Sequence, residues 1–239
     1  MVKIAGSKKL KRQMAPLYWG IARKEKRFVV TVKPGPHKKN YSIPTAVLLR
    51  DKMKVVSTLR EAKSVIYSGK ITIDGIKRKS LHHGIGLMDV VELDGMSEPY
   101  RLIPKDGVIL TPIKINLDER NKKIVKVTGK TSIKGGKTQI KFHDGRTLIS
   151  DEPVNVNDSC LLEIPDQKIL EVIKLENNTQ ILVTSGVNAG KAGEIKEIKE
   201  GTFTLPKRIV TTIDEKIIEI PIRLVIAVGK EKPVIQIRW

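Results

Sequence analysis

The chain has 239 residues and a formal net charge of +19, with 40% apolar and only 4% aromatic side chains. The positive excess favours nucleic acid or an acidic membrane surface as partner, and the scarcity of aromatics favours several small domains in series over one large core. No apolar run approaches the ~18–20 residues of a membrane helix, no apolar stretch of the signal-peptide kind follows the charged N-terminus, and the single cysteine, Cys160, excludes an internal disulfide and suits a reducing cytosol.

Charge is unevenly placed. Residues 1–40 carry twelve Lys and Arg against Glu25 alone, a net of +11, whereas residues 41–239 hold 33 basic and 25 acidic side chains, a mild +8 that solvated surface explains. The candidate polyanion contacts in this block are Lys8, Lys9, Lys11, Arg12, Arg23, Lys24, Arg27, Lys33, His37, Lys38 and Lys39, with Trp19 among them. A disordered basic tail would be polar throughout. Here Tyr18, Trp19, Phe28 and the rigid Pro34-Gly35-Pro36-His37 interrupt the charge, so the segment is expected to order itself on a polyanion. Tyr18, Trp19 and Phe28 either stack on unpaired bases or pack within the protein, and the sequence leaves both open.

Further along, residues 43–52 read as a helix with Pro44 in its first turn, where a missing N–H costs nothing. A second helix over residues 58–68 opens with a capping box, Thr58 and Glu61, and stops at Gly69. Leu59, Ala62 and Ile66 form its apolar stripe and leave Arg60, Lys63 and Ser64 outward. Residues 70–79 alternate as a hairpin around Asp74-Gly75, and a strand over residues 89–93 is expected to close the unit. After Pro104 the chain reads as short strands, at 124–127, 138–142, 146–149, 159–164 and 168–173. Turns at Gly135-Gly136, His143-Asp144-Gly145 and Pro165-Asp166 separate them. Five more strands, at 180–184, 194–198, 202–205, 216–220 and 223–228, suffice for an SH3-like barrel. Cys160 is expected to be a small core residue. The expected divisions are therefore 1–40, 41–104, 105–175 and 176–239.

Chemistry-bearing constellations are sparse. In Gly186-Val187-Asn188-Ala189-Gly190-Lys191-Ala192-Gly193 a glycine loop joins two apolar stretches and leaves Lys191 where an anion can meet it. A phosphate-binding loop needs four residues between its glycines and a Ser or Thr after the lysine, then a helix. This loop has three residues, Ala192 and a following strand, so nucleotide binding of that kind is excluded. His82-His83 projects to opposite sides of an extended backbone, and His143 and Asp144 read as turn formers, so no metal site is expected. No Gly-x-Ser-x-Gly elbow or Cys/His pairing supports nucleophilic catalysis. Neither catalytic residue nor cofactor is expected.

The glycine loop between strands matches the KOW motif. The two helices, the hairpin led by Gly69 with Asp74-Gly75, and Asp89-Val90 resemble the S-four RNA-binding domain. That resemblance implies RNA contacts at Arg50, Lys52, Arg60, Lys63, Lys70, Lys77, Arg78 and Lys79, with Lys191 as a minor contact. Taken in order, Lys9-Leu10-Lys11-Arg12 with Ala15-Pro16 and Trp19, then Pro34-Gly35-Pro36-His37, Gly86-Leu87-Met88-Asp89-Val90, Lys134-Gly135-Gly136-Lys137, His143-Asp144-Gly145-Arg146 and the KOW loop resemble one family end to end. It is the small-subunit ribosomal protein S-four-e family of archaea and eukaryotes. Lys9 stands where that family usually has histidine, and Gly84 where it often has proline. The ending Ile237-Arg238-Trp239, without a basic tail, is similar to archaeal members.

The family implies an α+β, mainly β fold: a basic extended N-terminal segment, a small αL-type S-four RNA-binding domain, a central β domain and a C-terminal SH3-like KOW barrel. It implies a structural constituent of the small (30S) subunit that binds small-subunit ribosomal RNA and supports assembly and translation. Its implied partners are that RNA and neighbouring small-subunit ribosomal proteins, in the ribosome of the cytoplasm, with no membrane and no stand-alone homo-oligomer. The rivals are a free KOW-domain factor and an RNA-modifying enzyme. An S-four domain also occurs in pseudouridine synthases, but nothing after residue 104 has the length or mixed α/β pattern of their catalytic domain.

Overall fold

The computed structural model describes residues 10–22, 24–150, 152–214, 216–230 and 232–237, and three five-stranded antiparallel sheets follow one another along them. Ahead of the sheets, β1 (Leu10–Lys11) pairs with β2 (Phe28–Val29). Trp19 is fully buried and donates its indole N–H to the Ser42 carbonyl at 3.0 Å. Leu10, Ala15, Ile21 and Val32 share one apolar cluster with Trp19 and the helices that follow. The described part of the basic segment is thus folded onto the first unit, because its aromatic and aliphatic residues have a core to enter.

β3 (Ile43–Pro44) pairs with β6 (Gly84–Ile85), and this pairing corrects the expected helix start. Pro44 is extended (ψ 142°) and caps the helix from outside, so α1 (Thr45–Val47) begins two residues after the expected start and runs on as a π-turn, Leu48–Lys52. α2 (Leu59–Tyr67) has both halves of its capping box: Glu61 N–H donates to Thr58 Oγ1 at 3.2 Å, and Thr58 N–H to Glu61 Oε2 at 3.4 Å. Ala62 and Ile66 are fully buried, while Arg60 and Lys63 are exposed, as a stripe at helical spacing requires.

The first sheet contains β4 (Ile71–Ile73), β5 (Ile76–Lys77), β7 (Val90–Leu93), β8 (Tyr100–Lys105) and β9 (Val108–Lys114), in the order β5-β4-β7-β8-β9. β7 does not close the unit as expected, since β8 and β9 extend the same sheet beyond Pro104. Alternation explains the continuation: Leu102 points into the first apolar cluster, and its neighbour Ile103 into a second. That second cluster also takes Ile124, Leu161, Leu182 and Ile226, so one small core joins all three sheets.

The second sheet has the order β12-β11-β10-β13-β14. Its strands are β10 (Lys122–Ser132), β11 (Thr138–Phe142), β12 (Thr147–Ile149), β13 (Ser159–Glu163) and β14 (Lys168–Ile173). Cys160 is fully buried here, and burial pushes its thiol up to about 12, the state of an inert core residue. The third sheet has the order β18-β17-β16-β15-β19, built from β15 (Gln180–Val183), β16 (Ala192–Lys199), β17 (Arg208–Ile213), β18 (Lys216–Pro221) and β19 (Val225–Gly229).

One strand expectation fails in the third sheet. Residues 202–205 are a loop, with Thr202 N–H bonded back to the Leu205 carbonyl at 2.8 Å and Phe203 fully exposed. The strand lies instead at Arg208–Ile213, where Ile209, Thr211 and Ile213 alternate inward. Residues 202–205 have β-forming side chains, but the turn hydrogen bond and Pro206 close a hairpin there. Among the described residues no helix is long and apolar enough to cross a membrane.

Candidate nucleic-acid interface

The basic residues singled out by sequence fall into two classes once their neighbours are known. Lys11, Lys24, Lys33, Lys38 and Lys39 on the N-terminal segment are exposed, as are Arg60, Lys63, Lys70, Lys77 and Lys79 on α2 and the β4–β5 hairpin. Arg78 and Lys52 are half-buried, and burial lowers the Lys52 pKa. None of these twelve has a carboxylate partner among the described residues. Arg27 is exposed and lies over the Phe28 ring, 5.4 Å from its centre. Phe28 is 44% exposed, whereas Tyr18 is half-buried with its hydroxyl donating to the Ser42 carbonyl at 3.0 Å.

The others are committed inside the protein. Arg12 is buried and donates to the Ile21 and Ala22 carbonyls. Trp19 offers no ring face to a base. Arg50 is held by Asp51 at 2.8 Å, and Lys191, half-exposed, by Asp214 at 2.8 Å. Lys8, Lys9 and Arg23 lie outside the described residues.

His37 belongs to a buried ionic junction that the sequence did not disclose. Its Nε2–H donates to both oxygens of Asp89, at 3.0 and 2.9 Å. Asp89 also accepts from Gly86 N–H at 2.7 Å and from Lys123 Nζ at 2.6 Å. Lys123, fully buried on β10, further reaches Asp74 at 2.7 Å and Asp144 at 3.1 Å, and Arg146 bridges the same two carboxylates. Burial alone would lower the Lys123 pKa, but Asp74, Asp89 and Asp144 outweigh it and raise it. Burial opposes ionisation of Asp89 in turn, and His37 and Lys123 hold it well below the usual carboxylate range. His143 and Asp144 lie in the expected turn, but their surroundings go beyond it, since Asp144 is buried and His143 is half-buried. His143 Nδ1 accepts from Lys126 N–H at 3.0 Å while Nε2–H donates to the Leu87 carbonyl at 3.3 Å, and burial pushes its pKa down to about 4.

Three of the motifs quoted for the family meet at this junction: Pro34-Gly35-Pro36-His37, Gly86-Leu87-Met88-Asp89-Val90 and His143-Asp144-Gly145-Arg146. A Cβ on Gly86 would stand 2.4 Å from the His37 ring, which is why that position tolerates no side chain. The only signal for the junction in the sequence was Lys123 itself, an ammonium set in register with Val125 and Val127 on an otherwise apolar strand face. The glycine loop behaves similarly. It joins β15 to β16 with no helix, its tip is Val187, and Gly107 N–H donates to the Ala189 carbonyl at 3.0 Å. Gly190 (φ +92°) lies so close to Lys105 that a Cβ would stand 2.6 Å from its Cα. The loop therefore packs the third sheet against the β8–β9 hairpin, and Lys191 is spent on Asp214 beside it.

A mainly-β protein of serial small units, tied by buried ions and presenting an uncompensated basic face, is in class a component built for a polyanionic assembly. Comparison with known proteins is specific. The model of the RS4NT (NUC023) domain matches residues 5–40, and that of Ribosomal family S4e matches residues 96–169. The chain is 37% identical over 243 residues to the small ribosomal subunit protein eS4 of Korarchaeum cryptofilum, covering 100% of both chains. It is 36% identical over 251 residues to that of Ignicoccus hospitalis, covering 99% of this chain and 98% of the other. The crystal structure of the 30S ribosomal protein S4e from Thermoplasma acidophilum superposes with a TM-score of 0.68 at 29% identity, over 80% of this chain and 97% of that one. The chain belongs to the ribosomal S4e family.

Proposed function

We propose that this protein is a non-enzymatic structural constituent of the small ribosomal subunit, binding small-subunit ribosomal RNA and neighbouring ribosomal proteins in the cytoplasm. The observation that carries the reading is the set of exposed, uncompensated cations on the N-terminal segment, α2 and the β4–β5 hairpin. Each phosphate they neutralise releases counterions, so log affinity falls by about 0.7–0.9 per contact per log unit of salt. Lys and Arg set the register of the protein on folded RNA, and shape supplies the rest of the recognition.

In this reading residues 41–104 act as an S-four RNA-binding domain, residues 105–175 as a central β domain and residues 176–239 as a KOW barrel. The barrel loop serves packing more than binding, since Gly190 and Lys191 are both engaged within the protein. Phe28, 44% exposed beneath Arg27, is a candidate for stacking on a base. Sedimentation of cell extract tests the proposal. The protein is expected to co-migrate with small subunits through moderate salt, and its release into the soluble fraction would sink the reading.

A further inference from the structure

Where the N-terminal segment, the second sheet and the third sheet meet, they enclose a cavity of about 610 Å³, within the ~300–1,000 Å³ of small-molecule sites. Among the described residues lining it are three cations, Lys38, Lys126 and Arg223, and no Asp or Glu. Lys126 is the informative one. It is only 9% exposed, and its ammonium donates to the Ile222 carbonyl at 2.6 Å and the Val225 carbonyl at 2.8 Å. An ammonium has three donors, so one remains after these two bonds, and no carboxylate partner stands among the described residues.

The contrast with Lys123 is direct. Both lysines are buried on β10, but Lys123 meets three carboxylates, whereas Lys126 meets carbonyl dipoles and an open cavity. Burial without a counter-ion pushes Lys126 down to about 8. A buried charge is retained at a cost unless something compensates it, and here the missing element is an anion from outside. The remaining walls specify more than a charge. Leu87 and Phe142 are apolar and Tyr41 is a half-exposed ring at the rim, so an inorganic ion would leave most of the cavity unfilled.

We propose that this cavity is a site for one nucleotide unit, its phosphate held by Lys126, Arg223 and Lys38 and its base laid against Leu87, Phe142 and Tyr41. A free mononucleotide and a nucleotide extruded from RNA present the same chemistry. The proposal deepens the RNA reading, and rests on it only for the second of these sources.

The test uses the full-length protein and adenosine 5′-monophosphate, followed by NMR of the methyl and aromatic signals, with adenosine and inorganic phosphate as controls. Saturable shifts at Leu87, Phe142 and Tyr41 are expected with the nucleotide, and much weaker ones with either control. Lys126→Met is expected to weaken binding at least about tenfold, as loss of a buried charge partner does. Because Lys126 also ties the third sheet to β10, Arg223→Gln, at an exposed position, is the second variant, with a loss of about threefold expected for a rim charge. Shifts scattered over the surface lysines without saturation, or both variants binding as the wild type does, would overturn the site. Photo-crosslinking to small-subunit RNA then separates the sources. Crosslinks at Tyr41 that excess mononucleotide abolishes assign the RNA, and crosslinks that persist assign the free nucleotide. Failure of all RNA binding would remove the proposed function and leave the nucleotide site standing.

Discussion

The first two units and the last sheet carry their positive charge in different company. Of the eighteen described Lys and Arg in residues 10–104, only Lys26, Arg50 and Arg101 sit in ion pairs with carboxylates. Of the nine in residues 176–237, four do: Lys191 with Asp214, Lys199 and Arg208 with Glu219, and Lys207 with Glu200. A cation beside a carboxylate adds little to the field a polyanion feels, and an uncompensated one adds its full charge. The comparison moves the expected RNA affinity away from the glycine loop and onto the N-terminal segment, α2 and its hairpin. It also shows that exposed pairs such as Lys191–Asp214 mark surface balance more than stability.

Between these regions stands the ionic junction, which belongs to neither, and the largest expected effect lies there. Lys123→Ala leaves three carboxylates buried without their shared ammonium, and is expected to cost about 3–5 kcal/mol in urea denaturation. A loss below about 1 kcal/mol would mean that the first and second sheets are held by their apolar core alone. His143 gives the next effect. Its folded pKa, depressed to about 4, means that the unfolded chain takes up a proton the folded one refuses. The stability this contributes is therefore present above about pH 6.5 and is lost as pH falls towards 4, by on the order of 3 kcal/mol. Asp89 and Asp144, both lowered, extend the loss below that range. His143→Gln should flatten the slope between pH 6.5 and 4, and an unchanged slope would place the effect elsewhere. Smaller again is Thr58→Ala, which removes half of the α2 capping box and should cost about 1 kcal/mol. Because Thr58 carries no charge, it should leave the salt dependence of RNA binding where it was, and so calibrates stability loss against charge loss.

Local signals were legible and long-range ones were not. Thr58 and Glu61 cap a helix whose boundaries follow from three residues of sequence, and β11 and β14 begin and end where turn residues said they would. The hairpin at residues 202–205 misled because its side chains suit a strand while its backbone closes on itself. His37 misled for a different reason. A histidine beside Lys38 and Lys39 looks like part of a basic surface, and nothing local says that Asp89, fifty-two residues later, will enclose it. Lys123 and Lys126 are hidden in the same way, since Asp74 and Asp89 come from the first unit and the Ile222 and Val225 carbonyls from the last.

The central claim is that uncompensated cations of the N-terminal segment and helix–hairpin face carry the RNA affinity, and a paired salt titration tests it most directly. One variant replaces Lys33, Lys39, Lys63 and Lys70 with Gln; the other replaces Lys191, Lys199, Lys207 and Arg208 with Gln. Binding to small-subunit ribosomal RNA is measured from low to moderate salt. The slope of log affinity against log salt is expected to fall by about 3 in the first variant, four contacts at about 0.7–0.9 each, and by less than about 1 in the second. Equal falls, or a larger fall in the second, would contradict the account.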